Sequence, residues 1–220
     1  MCSGALGTSA GMEREGAERW VPSARSTAKL AEAAEECRGC ELWKDATQVV
    51  FSQGRSTARI MLVGEQPGDQ EDRVGEPFVG PAGRVLVDAL EAANIDPSRV
   101  YLTNAVKHFR HTVRGKRRIH EKPAVAHITA CHPWLEAELS VVRPHVVVCL
   151  GATAGRSVLG RTVRIGAERG KLIDPADPGG PQVVITTHPS ALLRLRDRSE
   201  WGDAFDELVG DLQVAAAAAD

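Results

Sequence analysis

The chain has 220 residues, is 43% hydrophobic but only 4% aromatic, and carries a formal net charge of −2. That composition supports one substantial core built mainly from Ala, Val and Leu, so a single domain is the default expectation. No apolar run approaches the ~20 residues needed to cross a bilayer, and the amino terminus lacks the charged-then-apolar layout of a secretory signal. A soluble intracellular protein with no membrane partner is expected.

Residues 1–26 are rich in Gly, Ser, Ala and charge, and are expected to form a disordered tail. A helical pattern runs from Thr27 to Cys37 and ends at Gly39. The apolar run Arg59–Gly64, followed by a Gly/Pro turn, predicts a buried strand. Ala82–Ala93 predicts a helix, Val100–Thr103 a strand, Ala124–Val141 a helix and His145–Leu150 a strand. Ala152–Leu159 is helical, Gln182–Thr186 a strand and Trp201–Ala217 a final helix. Strands that are apolar on both faces and alternate with helices imply a four-stranded, mainly parallel sheet covered on both sides. Ligands of such sheets bind where the carboxyl ends of the strands meet their loops.

That rule directs attention to the segments after the strands. Gly64-Glu65-Gln66-Pro67-Gly68 presents Glu65 at a strand end, either as a reactive carboxylate or as the cap of a helix. Phe78, between turn residues, is core filler or a platform on which a base can stack. Asn104 ends its strand with an amide that both donates and accepts, as a local turn former or as a reader of a pyrimidine edge. Pro189 fixes the backbone behind His188, which holds the imidazole in one direction. Alone each has a bland structural reading; together at strand ends they point to one cleft.

Five cysteines in an intracellular chain do not suggest a disulfide framework. Cys2 lies in the small-residue tail, and Cys149, within VVVCLG, reads as a buried inert thiol. Cys37-Arg-Gly-Cys40 is a metal or cluster signal that needs two further ligands. Cys131 and either His108 or His111 are candidates. A zinc finger is rejected because a whole βα unit separates the pairs; a zinc site of another kind stays open.

The segment Lys107–Lys122 carries seven Lys or Arg, three of the seven histidines and one acid, Glu121. On a near-neutral protein such local density predicts an exposed loop that meets phosphates. It ends in His120, a nucleophile, base or ligand, or one more phosphate contact.

The motifs GEQPGD, GEPFVGPAGR, YLTNAVKHFR and THPSALLR, with the CRGC pair, the Cys131 helix and VVVCLGATAG, run in order from about Cys37 to the final helix. Together they resemble the iron–sulfur uracil-DNA glycosylases of family 4, and KRRIH (Lys116 to His120) resembles the insertion that sets the UdgX branch apart. The resemblance implies a uracil-DNA glycosylase fold over residues 27–220. It implies a [4Fe-4S] cluster on Cys37, Cys40 and Cys131, with His108 where the family usually has a cysteine. A uracil flipped out of DNA would stack on Phe78, be hydrogen-bonded by Asn104 and be bordered by Gln66. His188 would stabilise charge on the departing base. Lys116, Arg117, Arg118 and Ser190 would hold phosphates. His120 would bond to the deoxyribose C1′, with Glu65 orienting it or taking its proton, which gives a covalent adduct with little turnover. The implied partners are uracil-containing DNA, single strands included, and uracil as released product. The protein would be monomeric and cytoplasmic, on the nucleoid when acting. The alternatives are a turnover glycosylase that releases abasic DNA and a zinc-bearing DNA-binding module without catalysis.

Overall fold

Runs rich in Val, Ile and Leu with no polar face can be buried only where helices cover both sides of a sheet. The computed structural model, which describes residues 15–23, 26–175 and 178–219, has that layout. In chain order the elements are α1 (Thr27–Ala34), β1 (Ser52–Gln53), β2 (Ile60–Gly64), α2 (Asp69–Val74), α3 (Pro81–Ala92), β3 (Val100–Asn104), β4 (His111–Arg114), β5 (Arg117–His120), α4 (Val125–Val142), β6 (Val146–Leu150), α5 (Ala152–Leu159), α6 (Ile165–Glu168), β7 (Leu172–Ile173), β8 (Gln182–Thr186) and α7 (Arg198–Ala219).

The main sheet has six strands, in the order β1-β3-β2-β6-β8-β7, and not the four expected. Its middle, β3-β2-β6-β8, is parallel, while β1 and β7 pair antiparallel at the two edges. Each edge strand is two residues long, too short for a period to show in sequence. Alternate side chains along the parallel strands enter opposite cores. Leu62, Val148 and Val184 pack with α3 and α7, whereas Met61, Val147 and Ile185 pack toward α4 and α5. No helix among the described residues is long and apolar enough to cross a membrane.

Two expectations change here. Residues 15–23, inside the segment expected to be disordered, are packed: Ala17 is buried, and its N–H donates to Ala130 O at 2.8 Å. Residues 1–14, 24 and 25 of that segment lie outside the described residues. The basic segment is not an irregular loop but an antiparallel hairpin of β4 and β5, in the register His111↔His120 to Arg114↔Arg117. Gly115, at φ +61°, makes its tight turn.

Candidate active site

Because β2, β3, β6 and β8 run parallel, their carboxyl ends share one edge, and the loops leaving them meet there. Glu65 follows β2, Asn104 closes β3, Thr153 lies in the first turn of α5 after β6, and His188 follows β8. These groups touch. Thr153 Oγ1 donates to Glu65 Oε2. His120 Nε2, arriving on the hairpin, lies 3.5 Å from Glu65 Oε1. The Phe78 and His188 rings face each other at 6.5 Å and 25°. Gly64 is what lets them approach: a Cβ there would lie 2.3 Å from Asn104 Oδ1 and 2.8 Å from Phe78 Cζ. Phe78 itself sits at φ +59°, a left-handed conformation rare for a bulky residue. The Asn104 side chain is buried, with no hydrogen-bond partner among the described residues, so its donor and acceptor are available to a ligand.

The state of His188 follows from its surroundings. Ser190 N–H donates to Nδ1 at 3.1 Å and Ser190 Oγ lies 2.9 Å from the same atom, so a neutral ring carries its proton on Nε2. Burial first, and then the charges of His120 and Arg194, push its pKa down to about 4. At neutral pH His188 is therefore an uncharged donor. Ser190, expected at a phosphate, bonds this ring through its backbone N–H and its hydroxyl.

The hairpin corrects a second assignment. In its register Arg118 shares a face with His120 and turns inward. Its Nε donates to Asp69 Oδ1 at 2.5 Å, and its Nη1 to Asp72 Oδ2 at 2.6 Å and Thr47 Oγ1 at 3.0 Å. Its guanidinium also lies over the Phe109 ring at 5.4 Å. With four of its five N–H donors engaged, Arg118 fastens the hairpin to α2. Lys107 is buried against Glu138, and Arg110 pairs with Glu121. Arg114, Lys116, Arg117 and Lys122 are the cations of the segment that remain exposed. Gln66 is placed differently from the expectation: its carboxamide bonds the backbone of Arg110 and Glu121, which commits both of its N–H donors to the hairpin. Thr153, Asp69 and Asp72 carried no signal in the sequence, because their roles depend on partners far along the chain.

The second site lies beside α4. Cys37, Cys40, His108 and Cys131 line one small cavity with Lys107 and Trp134. Trp134 Nε1–H donates to Cys37 Sγ and the Lys107 N–H to Cys131 Sγ, each at 3.3 Å. Burial pushes the Cys131 thiol up to about 12. Burial, aided by the Arg38 charge, pushes His108 down to about 4, so its ring is neutral and able to ligate. His111 is elsewhere, stacked on Phe109 at 4.9 Å. Among the described residues, no group of three or more His, Cys, Asp or Glu is placed to hold a metal ion. Three cysteine sulfurs and one imidazole nitrogen are donors of the kind that iron–sulfur sites use.

A family profile described as the uracil DNA glycosylase superfamily matches residues 51–213. The chain is similar to the type-4 uracil-DNA glycosylase of Thermotoga maritima, with 38% identity over 168 residues, 76% of this chain and 83% of that protein. It is also similar to the type-4 enzyme of Archaeoglobus fulgidus, with 32% identity over 182 residues, 80% of this chain and 87% of that protein. A type-5 uracil-DNA glycosylase of Pyrobaculum aerophilum is 31% identical over 173 residues, 70% of this chain and 71% of that protein.

Proposed function

The chain belongs to the uracil-DNA glycosylase superfamily, and from that premise we propose that it excises uracil from DNA and retains the sugar as a covalent adduct on His120. The observation that carries the second half is the approach of His120 Nε2 to within 3.5 Å of Glu65 Oε1, at the sheet edge to which Asn104 and His188 also belong.

A uracil flipped out of the strand enters the cleft. Phe78 stacks on it and the open Asn104 carboxamide pairs with its polar edge. As the C1′–N1 bond breaks, its electron pair leaves with the base, and the neutral His188 donates Nε2–H to the charge that develops on a uracil oxygen. A lone pair of the neutral His120 imidazole then bonds C1′. Glu65, held by Thr153, takes the proton from the other ring nitrogen. The product is a neutral N-alkyl imidazole with no good leaving group, so each molecule acts once. Lys116 and Arg117, exposed at the hairpin turn, contact backbone phosphates. Cys37, Cys40, His108 and Cys131 are the residues that hold a [4Fe-4S] cluster. Such a cluster supplies a cross-link between the segment after α1, the loop after β3, and α4. Single-stranded DNA is accepted, uracil is released, and the protein is a monomer of the cytoplasm.

Gly64→Ala probes recognition. A methyl group there meets the Asn104 carboxamide and Phe78, so uracil release should fall by about 10²-fold. A normal rate would separate these residues from base recognition. The overall reading is tested by mass spectrometry after mixing the protein with a uracil-containing single-stranded oligonucleotide. A species of protein plus DNA less uracil, with the DNA on the His120 peptide, is expected. Free abasic DNA at many equivalents per protein would instead indicate turnover with water guided by Glu65. Unchanged DNA would overturn both.

A further inference from the structure

We propose that Gln66 is a positioning residue: it fixes the foot of the hairpin and so sets how much of the reaction ends on His120 and how much on water. This inference rests on the covalent capture proposed above.

The Gln66 side chain is buried, and its donors and acceptor all meet the hairpin. Nε2 donates to Arg110 O at 3.1 Å and to Glu121 O at 3.2 Å, while Oε1 accepts the Arg110 N–H at 3.2 Å. A primary amide has two N–H donors, and both are committed here, one to each strand of the hairpin foot. The same two residues also hold each other. Glu121 N–H donates to Arg110 O at 3.0 Å, and the Arg110 guanidinium bonds Glu121 Oε1 at 3.0 Å and Lys122 O at 2.7 Å. Gln66 thus reads the spacing of the two strands where they leave the body of the protein.

Its place in the chain gives that contact a chemical consequence. Gln66 follows Glu65, and Glu121 follows His120. The fastener therefore lies one residue from each member of the Glu65–His120 pair. The other anchor, Arg118 on Asp69 and Asp72, holds the hairpin further toward its turn. With that anchor alone the foot could pivot about α2. Gln66 closes the second point of support and leaves the His120 ring little freedom to move away from Glu65.

Attack by a side chain depends steeply on such placement. A nucleophile must stand about 3–3.5 Å from the reacting carbon, and a misplacement of about 1 Å costs on the order of 10²-fold. Water diffuses into the site and is oriented by Glu65, which Thr153 holds independently of the hairpin. Uracil departure, which depends on Phe78, Asn104 and His188, is not touched by the fastener. Loosening the foot should therefore leave bond cleavage in place and divert the sugar from His120 to water.

The experiment follows uracil release and covalent adduct separately in single-turnover reactions with a uracil-containing oligonucleotide, using the full chain. Two variants are compared. Gln66→Met keeps the bulk of the side chain without its hydrogen bonds, and Gln66→Asn keeps the amide one methylene short of both carbonyls. For both, uracil release within about threefold of the parent is expected, with an adduct fraction lower by about tenfold or more and free abasic DNA making up the balance. Uracil release is itself the control for folding. An unchanged adduct fraction in both variants overturns the proposal. So does a loss of adduct that only matches the loss of uracil release, since that marks a general structural role. If the parent releases uracil but forms no adduct, it is the assignment of His120 that has failed.

Discussion

His120→Ala should abolish the covalent protein–DNA band and leave uracil release largely intact. The side chain of His120 is 49% exposed and its nearest polar partner is Glu65 at 3.5 Å, so truncation removes little packing. A stability change within about 0.5 kcal/mol is expected, as for surface positions generally. The hairpin stays anchored through Arg118 and Gln66, and the groups that act on the base are untouched. Without an imidazole, the cation at C1′ is open to water, and Glu65 remains in place on Thr153 to orient it. The adduct should fall by at least about 10³-fold on a denaturing gel, with uracil release within about tenfold and abasic product appearing in its place. A heat-stable band from this variant would assign the bond to another residue. Adding Glu65→Gln should then slow the abasic product as well, since an amide cannot accept the proton of the attacking water.

The same residues show how far the sequence could be read. β2, β3, β6 and β8 were legible because each is an apolar run followed by Gly, Asn or a His-Pro step. Glu65, Asn104 and His188 were legible because a parallel sheet delivers its strand ends to one edge. The hairpin was hidden by its own charge. Thr112, Val113 and Ile119 are β-branched and flank Gly115, but the cations around them weigh more heavily in a reading by composition. Missing the strands meant missing the face on which Arg118 lies, and so its partners on α2. Lys107 was misread for a related reason: Glu138 is 31 residues away and becomes its neighbour only when α4 packs against the end of β3. Ala17 likewise becomes buried only when the chain folds back over α4. The four ligand candidates beside α4 were found from spacing and resemblance, and the structure adds what neither carries, the N–H donors aimed at Cys37 and Cys131.

Lys107→Met should be strongly destabilising although it adds no steric clash, with a loss of about 3–5 kcal/mol. The two side chains of this ion pair are 1% and 0% exposed, and Nζ lies 2.5 Å from Glu138 Oε2. Lys107 Nζ also donates to Thr103 Oγ1 at 2.5 Å and Asn104 O at 3.0 Å, which uses its three protons. Glu138 Oε1 accepts from Tyr101 Oη at 3.0 Å and Thr103 Oγ1 at 2.8 Å. Burial raises the Glu138 pKa and the lysine beside it opposes that rise. Removing the lysine therefore leaves a buried carboxylate that can persist only by taking a proton. A carboxyl whose folded pKa lies above its unfolded value stabilises the fold below the unfolded pKa and loses that contribution as pH rises through the folded one. The deficit of Lys107→Met, measured by urea denaturation, should thus be larger at pH 8 than at pH 5. Glu138→Gln in the same chain should recover at least about half of it at pH 8, because the charge is gone and the amide oxygen still accepts from Tyr101. A deficit that is the same at both pH values would mean that lost packing, and not the stranded charge, is responsible. Because Nζ also holds the carbonyl of Asn104, the double variant should regain stability before it regains uracil release: it restores charge balance in the core but not the bond that fixes the end of β3.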